Sequence, residues 1–292
     1  MMLPHAPVDG PWPTAHTRLY VVFGDPVKHS LSPAIHNAAF RHDSIDAVYL
    51  TWRSDAEHFA QTLATCVRAG VAGANVTVPH KQAAFLLADT LSDDAQLIGA
   101  VNTLVFHPDG TIHGDNTDVG GFGDDLDALI DTTAPAKAVV FGTGGAARAV
   151  VVACGRRNMH LTVVGRSRER AKELAALGVR AGATDSKALT IGESASAVQD
   201  AAVLINATVL GLKGEDVPDV FMQLNPDQLA YDLIYAPPET PFLRAAKARG
   251  ARTQNGLPML INQAARAYTL FTGQAAPLDV MRAAVTDALG DR

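Results

Sequence analysis

The amino-acid sequence predicts an α/β protein that is divided into two α/β domains. Short apolar runs, rich in β-branched and aromatic residues, alternate with segments of helical length along most of the chain. The 292 residues are enough for about two hydrophobic cores, and 48% apolar with 18% charged residues is the composition of a folded protein. The alternation begins again after residue 118, so we expect one domain over residues 1–118 and another over residues 119–254.

The first domain is predicted to contain a mixed sheet. Its strands are bounded by turn residues, and Pro33 favours the start of a helix. The turn Pro108-Asp109-Gly110 should return the chain as an antiparallel hairpin at the edge of the sheet. The predicted strands are Leu19–Gly24, Ala47–Trp52, Gly73–Val78, Asn102–His107 and the returning Thr111–Asn116, and the helices are Pro33–Arg41, Ala56–Ala69 and Lys81–Leu91.

The second domain is predicted to contain a parallel sheet, because its elements follow in βαβα order. Its first strand is almost wholly apolar, as strands buried on both faces are. The predicted helices are Gly120–Asp131, Gly145–Arg156 and Arg168–Leu177, the strands are Lys137–Phe141, His160–Val164, Ala202–Asn206 and Leu229–Ile234, and two more helices, Leu257–Phe271 and Leu278–Leu289, follow.

Composition excludes several classes of partner. A formal charge of −6 gives no general attraction for nucleic acid or an anionic membrane, and no apolar stretch fits a bilayer span. Two cysteines without a CxxC pair favour a reducing compartment, so we expect a cytoplasmic protein. The Pro-rich segment 1–16 is predicted to be a disordered extension rather than a signal peptide. The ten histidines have no metal-ligand spacing, which predicts no metal site.

A glycine-rich loop follows the strand Lys137–Phe141 and matches the pattern G-x-G-x-x-A. Small residues there allow a tight turn, a close approach of the backbone to pyrophosphate, and helix–strand packing. The loop therefore predicts a Rossmann-like dinucleotide site, although a turn that only permits tight packing stays an alternative. The predicted cofactor-binding residues of the loop are Gly142, Gly144, Gly145 and Ala146.

The end of the next strand indicates which dinucleotide binds. NAD sites usually carry an acidic residue there for the ribose hydroxyls. This chain instead has Arg166, Ser167 and Arg170, which would hold a 2′-phosphate through charge-assisted hydrogen bonds. We therefore predict NADP as the cofactor. The alternative is a solvated helix start, in which Glu169 complements the helix dipole.

Polar residues cluster after several strands of the first domain, at the strand ends where open α/β sheets bind ligands. The clusters read GDPVKHSLSP from Gly24, NVTVPHK from Asn75, GAVNT from Gly99 and GDNTD from Gly114. With GTGGAA, INATVLGL, YDLIYAPPETPFL and NGLPMLINQAA, they cover most of residues 20–273 in one order. This order closely resembles the shikimate dehydrogenase family.

The resemblance implies an NADP-dependent oxidoreductase that interconverts shikimate and 3-dehydroshikimate in chorismate and aromatic amino-acid biosynthesis. It implies that helices in residues 255–292 complete the substrate-binding domain, that residues 119–254 form the NADP domain, and that the protein is a monomer or homodimer. The substrate residues it implies are Ser30 and Ser32 for the carboxylate, Asn75, Thr77, Asn102 and Gln263 for ring hydroxyls, and Tyr235 at the pocket mouth. Further cofactor residues that it implies are Thr208, Gly256 and Met259.

The same resemblance makes Lys81 and Asp118 the catalytic pair. Oxidising a secondary alcohol requires removal of a proton from oxygen, which a positioned amine can carry out. A free lysine, with a pKa of about 10.4, is mostly a proton donor at neutral pH and suits ketone reduction. Asp118 would orient the lysine and share its proton. Without a catalytic role, Lys81 would only begin a helix and Asp118 would only cap one.

Two other functions stay open on the sequence alone. One is a quinate/shikimate or aminoshikimate dehydrogenase with broader substrate use or with NAD as cofactor. Arg166 argues against the use of NAD. The other is a non-enzymatic redox sensor that binds NADP, against which the pair Lys81 and Asp118 argues, because a sensor needs no proton transfer.

Overall fold

The computed structural model describes residues 13–131 and 135–290. It contains two six-stranded sheets with helices, so the predicted α/β class is confirmed. Residues 1–12 of the predicted disordered extension lie outside the described residues. From Thr14 the prediction of disorder is wrong, because the Thr14 hydroxyl donates a hydrogen bond to Asp46 Oδ2 at 2.8 Å. Within the described ranges, no helix is both long and apolar enough to cross a bilayer.

The chain divides into two compact units. The first unit holds the described residues up to Ala95, then Gly99–Thr117, and those from Ala264 onward. The second unit holds Gln96–Ile98 and Asp118–Gln263. The units thus change at residues 117 and 264, whereas the sequence analysis expects boundaries at 118 and 255.

The N-terminal elements build a mixed sheet of order β2-β1-β3-β5-β6-β4. Strands β2, β1 and β3 are parallel, whereas β5 is antiparallel to both β3 and β6. The elements are β1 (Arg18–Gly24), α1 (Ser32–His42), β2 (Ala47–Arg53), α2 (Phe59–Arg68), β3 (Gly73–Val76), α3 (Lys81–Leu87), β4 (Thr90–Leu91), α4 (Asp93–Ile98), β5 (Thr103–Phe106) and β6 (Ile112–Asp115).

Several details of these N-terminal elements differ from the prediction, and helix α4 was not predicted. The helix predicted over Lys81–Leu91 ends at Leu87, because Asp89 exchanges two hydrogen bonds with Ile112 and thereby draws the chain to the sheet. The two-residue strand β4 then pairs with the outer side of β6. The edge of the sheet is therefore β4 and not the hairpin.

The second sheet is parallel throughout, with the order β12-β11-β10-β7-β8-β9. The sequence analysis missed β9, α8, α9 and β12. The elements from residue 117 onward are α5 (Thr117–Leu129), β7 (Lys137–Phe141), α6 (Gly145–Gly155), β8 (His160–Val164), α7 (Arg168–Arg180), β9 (Asp185–Leu189), α8 (Ala195–Asp200), β10 (Val203–Asn206), β11 (Leu229–Asp232), α9 (Pro241–Ala248), β12 (Arg252–Gln254), α10 (Leu257–Thr272) and α11 (Leu278–Gly290), of which α11 belongs to the first unit.

Each sheet supplies one wall of a hydrophobic core. In the first sheet, Phe23 of β1 packs edge-on against Phe59 of α2, with ring centroids 5.6 Å apart. In the second, Phe141 at the end of β7 stacks on Phe221 at 4.4 Å. Both cores reach the carboxyl ends of their strands, so the loops that follow start from fixed positions.

Candidate functional site

The glycine-rich loop begins where strands β7 and β10 lie side by side. Gly142, just after β7, has a φ of +126°, and a Cβ on it would lie 2.6 Å from the carbonyl oxygen of Ala207, just after β10. Only glycine fits this conformation and this contact. The strand order reverses at β7 and β10, which is the position where open α/β sheets bind their ligands.

The next glycines are open to solvent at the start of α6. A Cβ on Gly144 or Gly145 would meet no atom within 4 Å, and Ala146 is also exposed. A ligand can therefore approach this backbone directly, at the positively polarised end of an eleven-residue helix. This cradle fits the pyrophosphate of a dinucleotide.

An exposed basic strip follows β8. Arg166 and Arg170 are both exposed, and no ion pair holds either within the described part of the chain. Ser167 caps α7, since its Oγ accepts the Arg170 N–H at 3.3 Å. The two guanidiniums can thus bind an anion, whereas the serine hydroxyl also fixes the start of the helix.

The arginine between them is engaged elsewhere. Arg168 pairs with Glu193, which also accepts hydrogen bonds from the N–H and the hydroxyl of Thr190 at 2.9 and 2.7 Å. Together the Thr190 hydrogen bonds and the Arg168 contact lower the pKa of Glu193 to about 2. Arg168 therefore holds the turn after β9 and does not join the exposed strip.

The loop after β10 is shaped by its own hydrogen bonds. The Thr208 hydroxyl donates to Asn206 Oδ1 at 2.7 Å and accepts the Leu210 N–H at 3.1 Å. Asn206 Nδ2 donates to Leu210 O at 3.0 Å. Thr208 thus uses its hydroxyl inside the loop and fixes the shape of that loop.

A buried carboxylate joins this loop to the one that follows β11. Asp232 accepts hydrogen bonds from Asn206 Nδ2 at 3.1 Å, from the Thr240 hydroxyl at 2.6 Å and from the Ile234 N–H at 3.0 Å. Burial raises the pKa of Asp232, and these three hydrogen bonds oppose that rise. Asp232 therefore fixes the segment that carries Tyr235, which is half-buried.

The start of α10 packs against that same segment. A Cβ on Gly256 would overlap the carbonyl oxygen of Leu233, so glycine is required there. Met259 is half-buried one turn into the helix, and Gln263 Nε2 donates to Leu260 O at 2.8 Å within the helix.

In the first unit, the loop between β1 and α1 carries the predicted serine pair. The Ser32 N–H donates to Ser30 Oγ at 3.2 Å, which holds the two residues together at the start of α1. The Ser32 side chain also lies beside the hydroxyl of the buried Tyr49. A small anion can be bound here by hydroxyl groups.

The predicted amide residues of the same unit are joined by hydrogen bonds. Asn75 Nδ2 donates to Asn102 O at 3.1 Å and to Thr103 Oγ1 at 3.0 Å. Asn102 Oδ1 accepts the Thr117 N–H at 2.8 Å, at the first residue of α5. Asn75 and Asn102 are both buried, so their amide groups have fixed orientations.

Lys81 is the first residue of α3 and is half-buried. Its carbonyl oxygen accepts the Val101 N–H at 2.9 Å. The preceding His80 is buried, donates from Nε2 to the Ser54 carbonyl at 2.7 Å, and stacks on Phe59 with centroids 4.3 Å apart. The backbone of Lys81 is therefore held on both sides.

Known proteins are similar to this chain in sequence and in fold. The model of the shikimate dehydrogenase substrate binding domain matches residues 22–104, and that of the shikimate 5′-dehydrogenase C-terminal domain matches residues 256–286. The chain is 41% identical to the NADP(+) shikimate dehydrogenase of Moorella thermoacetica over 285 residues, which cover 94% of this chain and 95% of that protein. The chain belongs to the shikimate dehydrogenase family.

Solved structures related to the family have the same fold. Shikimate 5-dehydrogenase of Thermus thermophilus, in complex with NADP(H) and shikimate, matches with a TM-score of 0.83 and 36% identity over 93% of this chain and 100% of that one. Quinate dehydrogenase of Corynebacterium glutamicum, in complex with NAD, matches with a TM-score of 0.86 and 29% identity over 93% and 99%. The resemblance found in the sequence motifs is thereby confirmed.

The residues that the family resemblance singles out fall in both units. The first unit holds Ser30, Ser32, Asn75, Thr77, Lys81 and Asn102, and the second holds Asp118, Tyr235, Gln263 and every predicted cofactor residue. Asp118 is buried in the first turn of α5. In the described ranges, no group of three or more His, Cys, Asp or Glu side chains is arranged to hold a metal ion.

Sequence reasoning missed three buried residues that lie beside predicted site residues. The N–H of His80, the residue before Lys81, donates to Thr77 O. Asp232 accepts the Ile234 N–H, next to Tyr235, and the Tyr49 hydroxyl donates to Asn75 Oδ1. His80 and Asp232 stand inside the motifs NVTVPHK and YDLIY, which is the signal that would have found them. Tyr49 lies in an apolar strand and gives no such signal.

Proposed function

We propose that this chain catalyses the reversible interconversion of shikimate and 3-dehydroshikimate with NADP, using Lys81 and Asp118 as its proton-transfer pair. The observation that carries the proposal is its membership of the family together with a lysine at the start of α3 and an aspartate in the first turn of α5. The residues up to 118 with those from 255 would bind the substrate, and residues 119–254 would bind the cofactor.

Seven residues would bind and orient the substrate. The Ser30 and Ser32 hydroxyls would hold its carboxylate, and Asn75, Thr77, Asn102, Tyr235 and Gln263 would contact the ring. Lys81 donates a proton to the oxygen that becomes the alcohol in the reducing direction, and takes it back in the oxidising direction. Asp118 keeps the lysine oriented and shares its proton.

The residues of the second unit would hold NADP. Bound NADPH supplies the hydride. The open backbone at Gly144 and Gly145 cradles the pyrophosphate, and Arg166 and Arg170 hold the 2′-phosphate. Thr208, Gly256 and Met259 shape the remaining wall.

The decisive experiment is a turnover assay with shikimate and NADP, followed through the absorbance of the reduced nicotinamide. Lys81→Ala should lower kcat by about 10²–10⁴, the usual contribution of a positioned proton-transfer group, while the KM for NADP stays the same. Asp118→Asn should act in the same direction, and the double variant should lose less than the sum of both effects. Near wild-type turnover of Lys81→Ala would contradict the mechanism.

Parallel assays separate the alternatives. Because the chain is similar to a quinate dehydrogenase that was solved with NAD, turnover should also be measured with quinate as substrate and with NAD as cofactor. Aminoshikimate should be tested as a further substrate. A kcat/KM for quinate equal to that for shikimate would assign the broader activity. If the protein binds NADP but turns over none of these acids, its function is that of a non-enzymatic redox sensor.

We further propose that the protein works in the cytoplasm as a monomer or homodimer, without nucleic acid or membrane partners. Both cysteines, Cys66 and Cys154, are free and buried, which supports a reducing compartment. Sedimentation of the purified protein measures the oligomeric state.

A further inference from the structure

The side-chain amide of Asn75 has four hydrogen-bonding positions, two N–H donors and two lone pairs on Oδ1. Three of them are occupied within the first unit. The Tyr49 hydroxyl donates to Oδ1 at 2.7 Å, and Nδ2 donates to Asn102 O at 3.1 Å and to Thr103 Oγ1 at 3.0 Å. Asn75 can therefore offer a ligand only one further lone pair, as an acceptor.

The orientation of this amide is determined by its partners. The Asn102 carbonyl can only accept, and the Thr103 hydroxyl spends its own proton on Asn102 Oδ1 at 3.0 Å. Both groups require the nitrogen of Asn75 on their side, so its oxygen must face Tyr49. The Tyr49 hydroxyl donates to one of the two lone pairs of Oδ1, so it determines which lone pair is left for a ligand.

The backbone and the ring of Tyr49 are both fixed by contacts, so its hydroxyl has a defined position beside Asn75. It is fully buried in β2, and the Asn37 side chain bonds both its N–H and its carbonyl group at 2.8 Å. Its ring stacks on His36, with centroids 4.4 Å apart and planes 7° apart. Burial raises the pKa of Tyr49 well above its ordinary value, so the hydroxyl keeps the proton that it donates.

We propose that Tyr49 is a positioning residue that directs Asn75 Oδ1 toward a ring hydroxyl of the substrate and so makes the site selective for a donor at that ring position. This inference rests on the proposed function, since it requires Asn75 to contact the substrate ring. The Tyr49 hydroxyl also lies beside the Ser32 side chain, so its removal can cause a loss common to every substrate that carries the carboxylate. Its action through Asn75 should add a loss that is confined to one ring position.

The test uses the full-length protein with Tyr49→Phe, which removes the hydroxyl and keeps the stacked ring. The substrates are shikimate and the two analogues that each lack one of the ring hydroxyls that are not oxidised. We expect kcat/KM for shikimate to fall by about tenfold, the effect of leaving a buried hydrogen bond unmade. The loss should be clearly smaller for one of the analogues, and the KM for NADP should stay unchanged.

The matched control is Tyr20→Phe. Tyr20 is buried in β1 directly opposite Tyr49 in the sheet register, and its hydroxyl donates to Phe271 O at 3.1 Å and not to Asn75. This variant should keep wild-type selectivity among the three substrates. Asn75→Ala should remove the selectivity, and Tyr49→Phe should add no further loss in that background.

Two outcomes would overturn the inference about Tyr49, and a third would refute the proposed function on which it rests. Unchanged kcat/KM values in Tyr49→Phe, or equal losses for all three substrates, would leave Tyr49 with a structural role only. A wild-type protein that does not oxidise shikimate would refute the proposed function, and the inference about Tyr49 would fall with it.

Discussion

Acidification should destabilise this protein through one buried histidine. His36 is fully buried among the rings of Phe40, Tyr49 and Phe271, and neither of its ring nitrogens has a hydrogen-bond partner among the described residues. Burial lowers its pKa from 6.5 to about 3. The unfolded chain therefore binds a proton at a pH where the folded chain does not, and stability falls as the pH drops below 6.5 toward 3.

The size of the effect follows from the two pKa values. Between pH 7 and pH 5, a histidine that titrates near 6.5 when unfolded and stays neutral when folded reduces the free energy of unfolding by about 2 kcal/mol. The measurement is urea unfolding of the wild type and of His36→Phe at both pH values. The wild type should lose about 2 kcal/mol more than the variant between the two conditions. An equal loss in both proteins would show that His36 takes up its proton without unfolding.

Three substitutions test the cofactor site. Arg166→Asp should lower kcat/KM with NADP by at least about tenfold relative to kcat/KM with NAD, since a carboxylate repels the 2′-phosphate. If the ratio of the two kcat/KM values does not change, Arg166 does not contact the 2′-phosphate. Gly144→Val should leave thermal unfolding unchanged because its side chain meets open space, yet it should weaken NADP binding in a titration. Gly142→Ala should instead destabilise the fold by about 1–3 kcal/mol, measured by urea unfolding, since its backbone is left-handed and in contact with Ala207.

The glycine loop was predictable because its requirements are local. Residues 137–147 contain the apolar strand, the small residues of the turn and the beginning of the helix in one continuous segment. Gly142 has a positive φ, and the space beside Gly144 is open. Glycine satisfies both conditions because it has no Cβ. No distant part of the chain has to be known to predict such a loop.

The missed elements depend on distant partners. Strand β9 and strand β12 are polar edge strands, and their hydrogen bonds come from β8 and β11 rather than from any pattern of their own. Strand β4 has two residues and exists because β6 lies beside it. Helix α9 is different, since Thr240 caps it and Pro241 follows in its first turn, a local signal that the analysis overlooked.

The hydrogen bonds of the supporting residues could not be predicted, for the same reason. Tyr49 bonds Asn75, His80 bonds Ser54, and Asp232 bonds Asn206, and in each pair the two residues are 26 positions apart. That separation is about one strand, helix and strand, so each bond forms only after the chain has crossed over and returned. The sequence motifs identify side chains that can contact a ligand. The orientation of those side chains depends on residues that the fold brings beside them.

The polar network around Asn75 also limits what can cause the pH dependence of turnover. His36 keeps its neutral form down to about pH 3, and burial raises the pKa of Tyr49 well above 10.0. Between these limits neither side chain changes its charge, and the amides of Asn75 and Asn102 carry none. An ionisation observed in kcat/KM within that range therefore belongs to groups outside this network, and the proposed proton-transfer pair is the first to examine. The pH profile of Tyr49→Phe should then keep the shape of the wild-type profile even where its magnitude falls.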